Sequence, residues 1–150
     1  MLVGIPAYLL RRLQSELNAA ARLIFHLKRS DHITDALISL HWLRVPERIQ
    51  YKVAMLGYRV LHGSAPQYLG PLTRVADVPG RRTLRSPASN RLIMPSVKLS
   101  IVGSRAFPAA ASSIWNSLPE YIVNASTLQS FQHHLKTFLF RRSFPDILLS

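Results

Sequence analysis

The chain has 150 residues, one domain's worth, and 48% of them are hydrophobic, so it can build a core and is not composed like a disordered chain. Nineteen Lys and Arg against seven Asp and Glu leave a formal charge of +12, which argues against a basic or neutral partner and favours a polyanion, most simply nucleic acid, or an anionic membrane surface. The absence of Cys rules out disulfide staples, thiolate zinc sites and a Cys nucleophile.

The opening Met1–Leu10 run is the most apolar stretch, but Arg11 and Arg12 end it well short of the ~18–20 residues of a membrane span. No positive residue precedes it and no clean small-residue cleavage site follows, so it does not read as a signal peptide. The expectation is a soluble intracellular chain, nuclear or cytoplasmic, without membrane association. From Pro6 to about Lys28 the spacing of Leu10, Leu13, Leu17, Ala20, Ile24 and Leu27 predicts a first helix with one apolar stripe. Pro6 suits its first turn, and Ala19–Ala21 favour helix and close approach. Ser30, Asp31 and Thr34 offer caps for a short second helix with Ile33, Leu37 and Leu40 inward. Pro46 starts a third, with Ile49, Val53, Leu56 and Val60 as its buried stripe and Gly63 as its stop.

Pro66–Leu69 allows one helical turn. Thr83–Arg85 and Arg91–Met94 are extended in flavour and separated by a five-residue loop, which allows a small β-hairpin; Val97–Val102 alternates loosely. Ser104 offers a cap for a helix to about Asn116, whose first turn Pro108 should distort. Pro119 starts another short turn. Ser126 and Gln129 have capping-box spacing before a last helix with Leu128, Phe131, Leu135 and Phe138 inward. Arg141 and Arg142 suit its C-terminal end, and Phe144-Pro145 closes it. The sum is a mainly α chain, a bundle of about five helices: an N-terminal helical part (1–70), a Pro/Gly-rich basic segment (71–102) and a C-terminal helical part (103–150), forming one unit.

The positive charge is uneven. Residues 51–100 carry eight basic residues against Asp77 alone. Arg81, Arg82, Arg85 and Arg91 fall among the breakers Pro79, Gly80, Pro87 and Pro95, where mobile guanidinium groups suit bidentate contact with phosphate. The other reading of this segment is a solvated connector. Arg48, Lys52 and Arg59 share a face of the third helix and make a stripe able to track a nucleic-acid backbone. The plainer reading of that stripe is the wet side of an amphipathic helix.

No phosphate-binding loop, dinucleotide-binding turn or nucleophile elbow occurs. Of the four Asp, only Asp31 and Asp35 are close in sequence, at a helix start where capping explains them; two-metal chemistry needs more. His133 and His134 are adjacent and point about 100° apart on a helix, so they do not chelate one ion together. Trp42 and Trp115 read as core anchors. The residues therefore suggest no catalytic centre, no metal site and no cofactor.

Several strings carry a resemblance. Leu13-Gln14 and Leu17-Asn18-Ala19-Ala20-Ala21-Arg22-Leu23-Ile24 come first. Asp31-His32-Ile33-Thr34, Leu40-His41-Trp42-Leu43, Arg48-Ile49, Gly63, Ala65-Pro66, Tyr68-Leu69 and Leu84-Arg85-Ser86 follow. The last are Gly103-Ser104-Arg105-Ala106-Phe107, Trp115-Asn116-Ser117-Leu118-Pro119, and Ser126 with Phe131, Leu135-Lys136-Thr137 and Leu139-Phe140. In this order they resemble the C-terminal region of LINE-type (non-LTR) retrotransposon reverse transcriptases of the jockey and chicken-repeat kind. The resemblance implies the thumb and the segment beyond it, a helical element holding the primer–template duplex behind the active site. The palm's catalytic Asp residues and the endonuclease lie upstream in such proteins, and no position here corresponds to them. The expectation is a non-catalytic fragment of an RNA-directed DNA polymerase, a 5′-truncated relic. At most it retains sequence-independent binding to RNA, DNA or an RNA–DNA hybrid. The alternative is a protein-interaction module or inert relic that binds a protein, or itself, through exposed former domain interfaces, the first helix above all.

Overall fold

The computed structural model describes residues 2–80, 90–96 and 100–149. The described residues are mainly α-helical. The elements are α1 (Ala7–Phe25), α2 (Thr34–Ser39), α3 (Val45–Leu61), α4 (Ser100–Gly103), α5 (Phe107–Ser117), α6 (Glu120–Val123) and α7 (Leu128–Ser143). Single 3-10 turns cover Gln67–Leu69, Val75–Asp77 and Pro145–Leu149.

The organising element is α3. Its buried residues are Val45, Val53, Ala54, Met55, Gly57 and Tyr58, more than one stripe, because two helices pack on it. Against α5 it places Val53 and Gly57. The α5 run Ala109, Ala110, Ala111 and Ser112 is wholly buried, and these small side chains let the two backbones approach. Against α7 it places Ala54 and Tyr58, which meet Phe131, Leu135 and Leu139. Tyr58 anchors an aromatic column: His62 stacks on it at 3.9 Å, Phe131 at 4.5 Å, and Trp115 meets Phe131 at 5.6 Å. Because α5 and α7 both build on α3, N-terminal and C-terminal residues share one apolar cluster. The expected stripe on α3 is therefore corrected. Of Ile49, Val53, Leu56 and Val60, only Val53 is buried; the other three are half-buried.

The helix α1 packs along one side only. Ala21 is its single buried residue, joining Ala36, Leu37 and Phe144 in a second cluster. Leu13 and Ile24, expected inward, are exposed, while the polar Gln14 and Asn18 are half-buried. Their hydrogen bonds are the reason. Gln14 Nε2 donates to Asn18 Oδ1 at 2.9 Å, and Gln14 Oε1 accepts the Val45 N–H at 2.9 Å. That N–H opens α3 and has no partner inside its own helix, so α1 caps α3 from outside. Arg22 reaches the carbonyls of Lys28, Arg29 and Asp31 at 3.3–3.5 Å, holding the turn into α2. The expected side-chain cap of α2 from Ser30, Asp31 or Thr34 is corrected: Asp31 accepts the Lys28 N–H at 2.7 Å within the preceding turn, and the N-cap of α2 is Ile33 with no side-chain bond.

Three further expectations need correction. The N-cap of α5 is Ala106, not Ser104; this later start puts Pro108 in the first turn, where it is tolerated without distortion. The cap of α7 is Thr127, whose side chain accepts the Ser130 N–H at 3.2 Å, rather than Ser126. Ser100–Gly103 is a helical turn, not extended. Gly63, at φ +71°, ends the hydrogen-bonded run of α3 as its sequence implies.

The Thr83–Arg85 arm of the expected hairpin lies outside the described residues. Arg91–Met94 pairs with Thr73–Val75: Ile93 N–H donates to Thr73 O at 2.9 Å and Val75 N–H to Arg91 O at 2.8 Å, flanking one antiparallel bridge between Arg74 and Leu92. The other edge of Leu92 faces α5. Its N–H donates to Asn116 Oδ1 at 2.8 Å, and its C=O accepts from Asn116 Nδ2 at 2.9 Å. Trp115 Nε1 donates to Asn90 O at 2.8 Å. The side chain of Asn116 thus stands in for a neighbouring strand, and Leu92 is buried beneath it.

Candidate nucleic-acid interface

Arg48, Lys52 and Arg59 are all exposed on α3. At about 100° per residue they fall within about 40° of arc, one ridge along the helix. The ridge is about 16 Å long at about 1.5 Å per residue. That length corresponds to about five base-pair steps of rise along a duplex axis at about 3.4 Å each. Arg48 lies over the Trp42 ring, its guanidinium carbon 5.7 Å from the centroid, which orients the N-terminal end of the ridge.

Two grooves flank the ridge. On the α1 side, Leu13 and Leu17 face Val45, Ile49 and Leu56 across a cleft of about 490 Å3, with Arg48 and Lys52 in its wall. On the α7 side, Tyr51 faces Thr127, Gln129, Gln132, His133 and Lys136 across a polar hollow of about 690 Å3. His133 and Lys136 continue into a second hollow with His41, Phe140 and Arg141. Among the described residues, none of these three linings includes a carboxylate. The arrangement can therefore hold a polyanion by charge from the ridge. It adds amide, hydroxyl and imidazole groups on one side, the mix that makes backbone contacts to nucleic acid.

The ridge brings Arg48, Lys52 and Arg59 together. Arg91 is elsewhere: its segment packs on Trp115 and Asn116 of α5, which covers the Gly57 face of α3, about 140–180° around the helix from the ridge. Arg81, Arg82 and Arg85 lie outside the described residues. His133, Lys136, Gln132 and Arg141 were not assigned to a nucleic-acid surface by sequence. On α7 alone they look like an ordinary wet face, and only the antiparallel packing of α7 on α3 sets them beside the ridge. That packing is fixed by the Arg44 N–H donating to Ser143 Oγ at 3.4 Å, Arg142 donating to Gln50 at 3.4 Å, and Tyr58 on Phe131.

Trp115 is 2% exposed and fills the core, and Trp42 is half-buried under Arg48. Among the described residues no group of three or more His, Cys, Asp or Glu is placed to hold a metal ion, and no helix is long and apolar enough to cross a membrane. The chain matches no protein-family model, no curated protein and no solved structure.

Proposed function

We propose that this chain binds nucleic acid by its phosphate backbone, without reading sequence, as the non-catalytic region beyond the palm of a LINE-type reverse transcriptase. The observation that carries the reading is the α3 ridge: Arg48, Lys52 and Arg59 exposed in one line, with a polar hollow bearing His133 and Lys136 beside it. A duplex laid along α3 would meet cations along the ridge, and amide, hydroxyl and imidazole groups with Lys136 on the α7 side. No catalytic step is assigned to the chain.

Several residues of the strings that carry the resemblance have structural roles in this fold. Gln14 caps α3, Asn18 braces Gln14, and Arg22 and Asp31 hold the turn between α1 and α2. Trp115 and Asn116 hold residues 90–92.

The test is a fluorescence-anisotropy titration with an RNA–DNA hybrid and a B-form duplex over a range of salt concentrations. Each phosphate contact contributes about 0.9 to the slope of log affinity against log salt for B-form DNA. Replacing Arg48, Lys52 and Arg59 together by Ala should lower that slope by roughly 2.7. Because the whole chain is cationic, the control removes equal charge elsewhere, through Arg11→Ala, Arg12→Ala and Arg105→Ala, all exposed positions. This control should change the slope by less than one unit. No binding at low salt, or equal loss in both variants, refutes the reading.

A further inference from the structure

We propose that the cleft between α1 and α3 is the docking site for one acidic amphipathic helix of a partner protein. The cleft floor is aliphatic: Leu13 and Leu17 from one helix, Ile49 and Leu56 from the other. Leu13 remains 40% exposed, and Leu2, also in the lining, 53%. The wall on α3 runs from Val45 to Leu56, about 16 Å at about 1.5 Å per residue, or three helical turns. A three-turn helix presenting apolar side chains at i, i+3 or i+4, and i+7 matches that length.

Charge selects the occupant. Arg48 and Lys52 stand in the wall four residues apart, about 6 Å along the axis. They suit carboxylates placed one turn apart on the incoming helix, flanking its apolar stripe. A second copy of this chain is a poor occupant. Its long helices bring Arg11, Arg12 and Arg22 against one Glu16, Arg48, Lys52 and Arg59 against one Glu47, or Lys136, Arg141 and Arg142 with no acid. Each would set like charge against the wall. The uncharged α5 is already spent in the core, with five of its residues buried.

The inference does not rest on the nucleic-acid reading, although both use Arg48 and Lys52. It is tested on the full chain by anisotropy with a labelled 18-residue peptide patterned with Leu on one face and Glu flanking it. A scrambled peptide of equal composition is the comparison. The patterned peptide should bind saturably, at least tenfold tighter than the scrambled one. Leu13→Gln, neutral and at an exposed position, should weaken it tenfold or more while leaving the circular dichroism and the hybrid-binding salt slope unchanged. Lys52→Glu, at an exposed position, should weaken it by a similar factor and guards against a fold defect in the first variant. Equal binding of the two peptides, or indifference to both substitutions, overturns the proposal. So does concentration-dependent dimerisation of the chain alone that blocks the peptide, or saturable binding of laurate with none of the peptide. Loss of hybrid binding in the parent would sink the nucleic-acid reading and leave the peptide result standing.

Discussion

Asn116 offers a sharp test of how residues 90–92 are held. Its amide makes two hydrogen bonds to the backbone of one residue, Leu92, at 2.8 and 2.9 Å, and Leu92 is 2% exposed. Asn116→Ala leaves a buried N–H and C=O without those partners. An unsatisfied buried group costs about 1–3 kcal/mol, so two give roughly 2–6 kcal/mol, and because Asn116 is itself half-buried the lower part, roughly 2–4 kcal/mol, is expected. Asn116→Asp separates hydrogen bonding from shape. The carboxylate is nearly isosteric and still accepts from the Leu92 N–H, but it sets an oxygen against the Leu92 carbonyl. It should therefore destabilise at least as much as Ala. Urea unfolding followed by circular dichroism gives both values, and amide exchange at Leu92 should quicken in both variants. An Asp variant within about 0.5 kcal/mol of the parent, against the roughly 2–4 kcal/mol worked above, would show that the amide is not what pins the segment.

Other substitutions test the core and the caps. Phe131→Ala removes the ring at the centre of the aromatic column and should destabilise by about 3–5 kcal/mol, whereas half-buried Leu56→Ala should fall short of the ~2–5 kcal/mol of a buried aliphatic; chemical denaturation ranks them. Gly57→Ala should be tolerated and stabilise by roughly 0.5–1 kcal/mol, because a Cβ there meets Trp115, Leu72 and Ala111 at 3.8–4.0 Å, ordinary contact, and Ala is the better helix former. A lowered melting temperature would mean that α3 and α5 are closer than described. Gln14→Ala should cost about 1 kcal/mol through the orphaned Val45 N–H, with faster exchange confined to the start of α3.

The existence of the long helices was legible because their apolar spacing is a local signal. Phe131 and Leu135 recur at helical spacing and both are buried. Which way each helix faces was less legible. On α3 the expected stripe missed Ala54 and Tyr58, because a helix covered by both α5 and α7 has no single apolar face to detect. On α1 the apolar stripe pointed to Leu13, while half-buried Gln14 and Asn18 took inward positions through bonds to a helix not visible from their own segment. The caps slipped by one or two residues: at α7 because Ser126 and Thr127 offer the same chemistry at neighbouring positions, and at α5 because the helix starts from Ala106 with no side-chain cap at all. The grip of Asn116 on Leu92 spans 24 residues and has no local signature. The ridge of Arg48, Lys52 and Arg59 was legible because its members sit on one helix. The hollow of His133 and Lys136 was not, since its other wall is Tyr51 on a different helix.

The central claim is that nucleic acid lies along α3. Amide chemical-shift perturbation of the labelled chain, titrated with an RNA–DNA hybrid, tests it most directly. The largest shifts should cluster between residues 48 and 59 and at His133 and Lys136. Shifts centred on α5 and residues 90–92 instead, or spread evenly over every lysine- and arginine-bearing face, would contradict it.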